Sequence, residues 1–172
     1  MNQTLSRIGV LLAALLVLGL SPLGFINISG PGKAITLLHI PMLLAATLEG
    51  PFAAALLGAA FGLIAGLKFP VAGVAVGFHV VGRLIAGLAA ALTFQVVGQS
   101  SWRDSKITMG SIAAVLAGTL VNTLIMTLLI LLLGGASPEE LLSVAIIHGI
   151  VEVMVALAVV VPITIALLGH RP

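Results

Sequence analysis

Of 172 residues, 60% are hydrophobic and only 7% charged, with a mean hydropathy of +1.33. A water-facing domain carries about 25% charged residues, so this composition excludes a soluble globule and turns the surface toward lipid. A formal net charge of +2 gives no ground for nucleic-acid binding, and the absence of cysteine excludes disulfide frameworks, thiolate metal sites and cysteine nucleophiles.

The chain reads as a single integral-membrane domain, residues 1–172, all-α with six transmembrane helices of about 20 apolar residues each. The apolar run behind Arg7 lacks a convincing small-x-small cleavage site, so residues 7–25 are read as the first span rather than a secretory signal. A polar, turn-rich loop follows from Asn27 to Lys33. The second helix, 35–48, is short and carries Pro41; Glu49-Gly50-Pro51 is a tight turn that starts the third, 51–67. The fourth, 71–97, has an indistinct start between residues 71 and 80. The fifth covers 107–133. Ser137 as N-cap, Pro138 at the first position and Glu139 and Glu140 in the first turn mark the start of the sixth, 138–168.

Even-numbered spans place both termini on one side. Arg7, Arg103, Lys106 and Arg171 share that side, whereas Lys33 and Lys68 lie on the other, so both termini are expected in the cytoplasm and the protein in the inner membrane. Trp102 reads as an interfacial anchor. Ala54, Gly58, Gly62 and Gly66, and separately Gly82, Ala86 and Ala90, recur every four residues and are read as helix-packing seams. No internal repeat suggests the inverted halves of a self-sufficient transporter.

Ionisable groups inside a span are costly and mark function or a satisfied structural cluster. His79 and Arg83 form one i,i+4 pair, His148 and Glu152 another, and Asn122 lies with Thr119 and Thr123 on the fifth helix. At about 1.5 Å per residue these groups fall at similar depths, Arg83 about 18 Å in if its helix begins at residue 71. A polar pocket opening outward between helices four, five and six is the economical reading. The structural alternative pairs Arg83 with Glu152 and hydrogen-bonds the rest internally. His39 and His170, near helix ends, are read as wet structural residues.

No enzyme is indicated. The His148–Glu152 spacing lacks the second histidine of His-Glu-x-x-His, and no Gly-x-x-x-x-Gly-Lys-Ser/Thr phosphate loop is present. His79, His148 and Glu152 are ligand types for a transition metal, but no spacing enforces such a site, so none is expected.

Three stretches resemble the substrate-specific (S) components of energy-coupling-factor (ECF) transporters, closest to the pantothenate-, folate- and hydroxymethylpyrimidine-type branch. They are Leu38-His39-Ile40-Pro41 with Gly50-Pro51 and Gly58-x-x-x-Gly62-Leu63; Gly82-Arg83-Leu84-Ile85-Ala86-Gly87; and Asn122-Thr123 with Gly149-x-x-Glu152. Gly82 stands where the family has proline, and His148 where asparagine is expected in the pantothenate-like branch. The resemblance implies high-affinity capture of a vitamin or related metabolite from outside. Delivery would then use a transmembrane coupling protein and two ABC ATPases, which consume ATP, this chain holding no cofactor. It implies ligand contacts among Arg83, Asn122, Glu152, His148, His79 and Thr123. Gly9 and Ala13 would stand in for the family's small-residue strip that meets the coupling protein, and the Asn27–Lys33 loop would help close over the substrate. Arg83 favours a carboxylate, pantothenate being one fit. The competing reading is a stand-alone secondary transporter, or a metal-ion transport subunit, built on the same His/Arg/Glu cluster.

Overall fold

The computed structural model describes residues 3–27, 34–68, 74–98, 104–133 and 137–169. Among them are six α-helices: α1 (Gln3–Leu20), α2 (His39–Leu48), α3 (Pro51–Lys68), α4 (Val76–Gly98), α5 (Asp104–Leu132) and α6 (Pro138–Leu168). All except α2 are long and apolar enough to cross a membrane. The expected all-α membrane architecture is therefore observed, with one correction. At ten residues, α2 extends about 15 Å and reaches only halfway through a hydrocarbon core about 30 Å thick.

Proline sets this departure. Helix α1 stops at Leu20 rather than at residue 25 because Ser21-Pro22 cannot continue it; the Ser21 hydroxyl donates to the Leu18 carbonyl at 3.1 Å. A single 3₁₀ turn, Pro22–Gly24, leads into strand β1 (Phe25–Asn27), which pairs antiparallel with β2 (Ala34–Thr36). Only glycine fits at position 24, since a Cβ there would strike the Leu18 carbonyl. Residues 35–38, expected to be helical, instead form the end of β2 and a bend. Pro41 has no N–H to donate and is tolerated only in a first helical turn, so α2 begins at His39. The turn between α2 and α3 follows the sequence reading, with Gly50 at φ 92°.

Two contacts fix the relation of the chain ends. Arg7 at the start of α1 reaches Glu49 at the end of α2 at 3.4 Å. Near the same end, Thr47 of α2 bonds Thr164 of α6 at 2.8 Å. The first turns of α1 and the last turns of α2 and α6 thus lie at one end of the bundle, the shared side expected for both termini, although α2 is only half a span long. Trp102, Arg103, His170, Arg171, Lys33 and most of the Asn27–Lys33 loop lie outside the described residues.

Both small-residue strips are packing seams. Gly58 of α3 abuts the Arg83 backbone carbonyl of α4, and Gly62 abuts the His79 carbonyl, so two helix backbones touch without intervening side chains. On another face of α4, Gly82 packs against Ile125 of α5, while Ala86 and Ala90 are fully buried. Phe61, Leu57, Met42, Leu43 and Phe94 fill the core between these seams.

Candidate binding site

Arg83 projects from α4 into the bundle and is only 8% exposed. Its Nη1 donates to the His79 Nδ1 at 3.1 Å, the His79 carbonyl at 3.4 Å and the Met126 sulfur at 3.0 Å. Its guanidinium carbon lies 4.7 Å from the Phe61 ring centroid. Every one of these partners is neutral, and the Arg83 Nε–H has none. A cation over an aromatic face contributes about 2 kcal/mol when desolvated, far below what removing a charge from water costs.

Because guanidinium only donates, His79 Nδ1 must be the acceptor, which puts the imidazole proton on Nε2. That nitrogen is buried and unpartnered too. Arg83 and His79 therefore present two unused donors side by side. Val76 as the first residue of α4 places His79 about 4.5 Å and Arg83 about 10.5 Å along the helix, shallower than a start at residue 71 gives. The Met126 contact sets Arg83 level with Met126 on α5, and Asn122 lies about one turn deeper.

Glu152 is not the direct partner that the structural alternative required. Its Oε1 instead accepts the Thr36 amide of β2 at 3.0 Å. The Leu38 amide turns back to the Thr36 hydroxyl at 3.2 Å, and the Leu37 amide donates to the Gly24 carbonyl at 3.0 Å. This non-helical backbone at membrane depth is tolerated because each of these donors has a partner within the protein.

His39 is the residue that the sequence reading missed. It is 2% exposed, at the head of α2. Its Nε2 donates to the Glu152 backbone carbonyl at 3.3 Å, which leaves Nδ1 as a buried acceptor without a partner. Asn122 Oδ1 and Thr119 Oγ1 are likewise buried and unpartnered. The polar groups expected to gather between α4, α5 and α6 thus also meet β2 and α2 at Glu152, and Phe61 of α3 backs the arginine. His148 is half-buried one turn from Glu152 on α6.

The cluster is polarised. Unused donors gather at Arg83 and His79, and unused acceptors at Asn122 and His39. Beside it, α5 and α6 part to leave a groove of about 420 Å³, with Thr119, Thr123, Gly149 and Val153 in its walls. Thr123 therefore faces the groove, whereas Asn122 turns into the bundle. No group of three or more potential metal-ligating side chains is found among the described residues.

Gly9 and Ala13 lie on the exposed side of α1, remote from this cluster. A Cβ added at Gly9 would meet nothing within 4 Å, so that end of the strip has room for a close neighbour.

A search of curated proteins finds no relative to set beside the sequence. The model of the family described as "ECF transporter, substrate-specific component" matches residues 3–164, which include every residue of the cluster, the groove and the α1 strip. Members are integral-membrane, substrate-binding subunits of transporters and not enzymes. By this match over nearly its whole length, the chain belongs to the ECF transporter substrate-specific component family.

Proposed function

We propose that this subunit captures a vitamin-sized carboxylate from outside the cell and passes it inward with a transmembrane coupling protein and two ABC ATPases. One observation carries the substrate class. Arg83 is a buried cation whose partners are all neutral, beside a second unused donor on His79. An incoming carboxylate supplies an anion in direct contact, which these partners do not, and can accept from both, a charge-assisted arrangement roughly twice as strong as neutral hydrogen bonds. Asn122, His39 and the Glu152 carboxylate then accept from hydroxyl, amide or amine groups further along the ligand. A pantothenate-like metabolite meets these demands, as do other small hydroxy or amido acids of the same branch. Gly9 and Ala13 on α1 offer the close approach that a coupling-protein helix needs.

The test is a thermal-shift screen of the purified protein against vitamin-sized carboxylates, pantothenate included, with their amides as controls. A ligand at a hundred times its Kd stabilises by about 2.7 kcal/mol. At least one acid should raise Tm in the wild type, its amide should not, and Arg83→Ala should abolish the shift. Stabilisation by the amide equal to that by the acid would refute the carboxylate reading. Uptake into proteoliposomes should require the coupling protein and ATPases; transport by the subunit alone would favour a secondary transporter.

A further inference from the structure

Phe61 stands in the middle of the α3 seam, between Gly58 and Gly62. Those glycines let the two backbones touch at the Arg83 and His79 carbonyls, and this close approach brings the ring under the arginine. The ring centroid lies 4.7 Å from the guanidinium carbon, and the Phe61 side chain is fully buried. All three hydrogen bonds that Arg83 makes with described residues leave from Nη1, and its Nε–H makes none. A guanidinium carries its N–H groups in its own plane, so a ring on its face takes up no donor. A protein carboxylate beside Arg83 would hold the cation too, but it would occupy the donors that a ligand needs. An aromatic face attracts the cation and leaves the in-plane donor unspent.

We infer that Phe61 is a positioning residue for anion capture: its ring face fixes the Arg83 guanidinium so that the unspent Nε–H meets the ligand carboxylate. The inference rests on the carboxylate reading of Arg83 and adds the group that holds the arginine in place for it. Two helices grip the guanidinium, α3 through the Phe61 ring on its face and α5 through the Met126 sulfur at Nη1. The thioether is a weak acceptor and orients Nη1 alone, whereas the ring sets the plane of the whole group. Without the ring the guanidinium turns on its flexible stem, and binding must then order it again. The ring touches the arginine with or without a ligand, so its effect on affinity comes through this orientation.

The experiment uses the full chain in nanodiscs with isotope-labelled arginine. It follows the Arg83 Nε–H resonance, identified by its absence in Arg83→Lys, during titration with acetate, and acetamide is the control. Phe61 is replaced by monofluorophenylalanine and by pentafluorophenylalanine, which keep nearly the same ring shape while weakening and then reversing the negative charge of its face. Phe61→Leu removes the ring altogether, and Tm reports that each variant is folded. The monofluoro variant should bind acetate within about threefold of the wild type, and the pentafluoro variant about tenfold more weakly. Phe61→Leu should lose at least as much as the pentafluoro variant. Equal acetate affinity in the wild type and the pentafluoro variant, or tighter binding in the latter, would reduce Phe61 to a core filler. That result would overturn the inference and leave the carboxylate reading intact. Failure of acetate to move the wild-type resonance, or an equal response to acetamide, would overturn the carboxylate reading, and this inference with it.

Discussion

Substituting Gly58 by alanine tests whether α3 sets the position of the binding residues on α4. Its Cβ would press on the Arg83 carbonyl and come within 2.9 Å of the carbonyl carbon, where 3.4–4 Å is ordinary contact. The obstruction is backbone, so no side chain can swing away, and α4 must retreat by about 1 Å. Overpacking of this kind costs about 1–3 kcal/mol of stability. Its effect on binding is separate. A shift of about 1 Å exceeds the roughly 0.5 Å tolerance of a preorganised site. Losing one charge-assisted hydrogen bond, about 1.5–3 kcal/mol, weakens affinity about 10- to 100-fold. Gly77→Ala, on α4 itself, is the control, because a Cβ there meets nothing within 4 Å. Thermal unfolding and ligand titration on both variants distinguish the two effects. Gly58→Ala with Tm and affinity matching those of Gly77→Ala would refute the idea that the α3 seam holds Arg83 in place.

Other consequences follow from the same contacts. Glu152→Ala should weaken ligand binding and release the Thr36 amide, so hydrogen exchange at Thr36 should rise; unchanged exchange would mean that Glu152 does not hold β2. Thr47→Val should cost about 1–2 kcal/mol by stranding the buried Thr164 hydroxyl, while Thr47→Val with Thr164→Val together should recover most of that loss. A double variant as unstable as the sum of the singles would contradict this pairing. Ala13→Leu should leave ligand affinity within twofold yet stop uptake in the assembled transporter; normal uptake would remove α1 from the docking surface. Arg7→Ala should lower Tm clearly, because the Glu49 side chain is only 4% exposed and would be left as a buried, unpaired carboxylate; an unchanged Tm would show that the pair adds no stability.

The apolar runs and their proline and glycine breaks made the long helices legible, and Pro138 marked the start of α6 to the residue. The region around residues 21–38 was not legible in this way, because apolar residues such as Phe25, Ile26 and Ile35 suit a buried hairpin as well as a helix. His39 was misread for the same reason. With the second helix drawn from residue 35, a histidine near its end belongs in water. With α2 starting at mid-depth, that histidine is among the most buried polar groups. Pro41 held the clue, since it confines the helix start to the turn before it. Helical spacing showed that His79 and Arg83 share a face, and His148 and Glu152 another. It could not show what each face meets: Arg83 meets Phe61 and Met126, whereas Glu152 meets Thr36. Those pairings arise from the tilt and rotation of whole helices, to which α3 contributes through Gly58 and Gly62.

The central claim is that Arg83 receives an anionic metabolite, and native mass spectrometry of the protein released from nanodiscs tests it most directly. After exposure to a metabolite extract, the wild type should retain one vitamin-sized, carboxylate-bearing mass, and Arg83→Ala, equally folded, should retain none. A mass held equally by both proteins, or a wild type that holds none, would contradict the account.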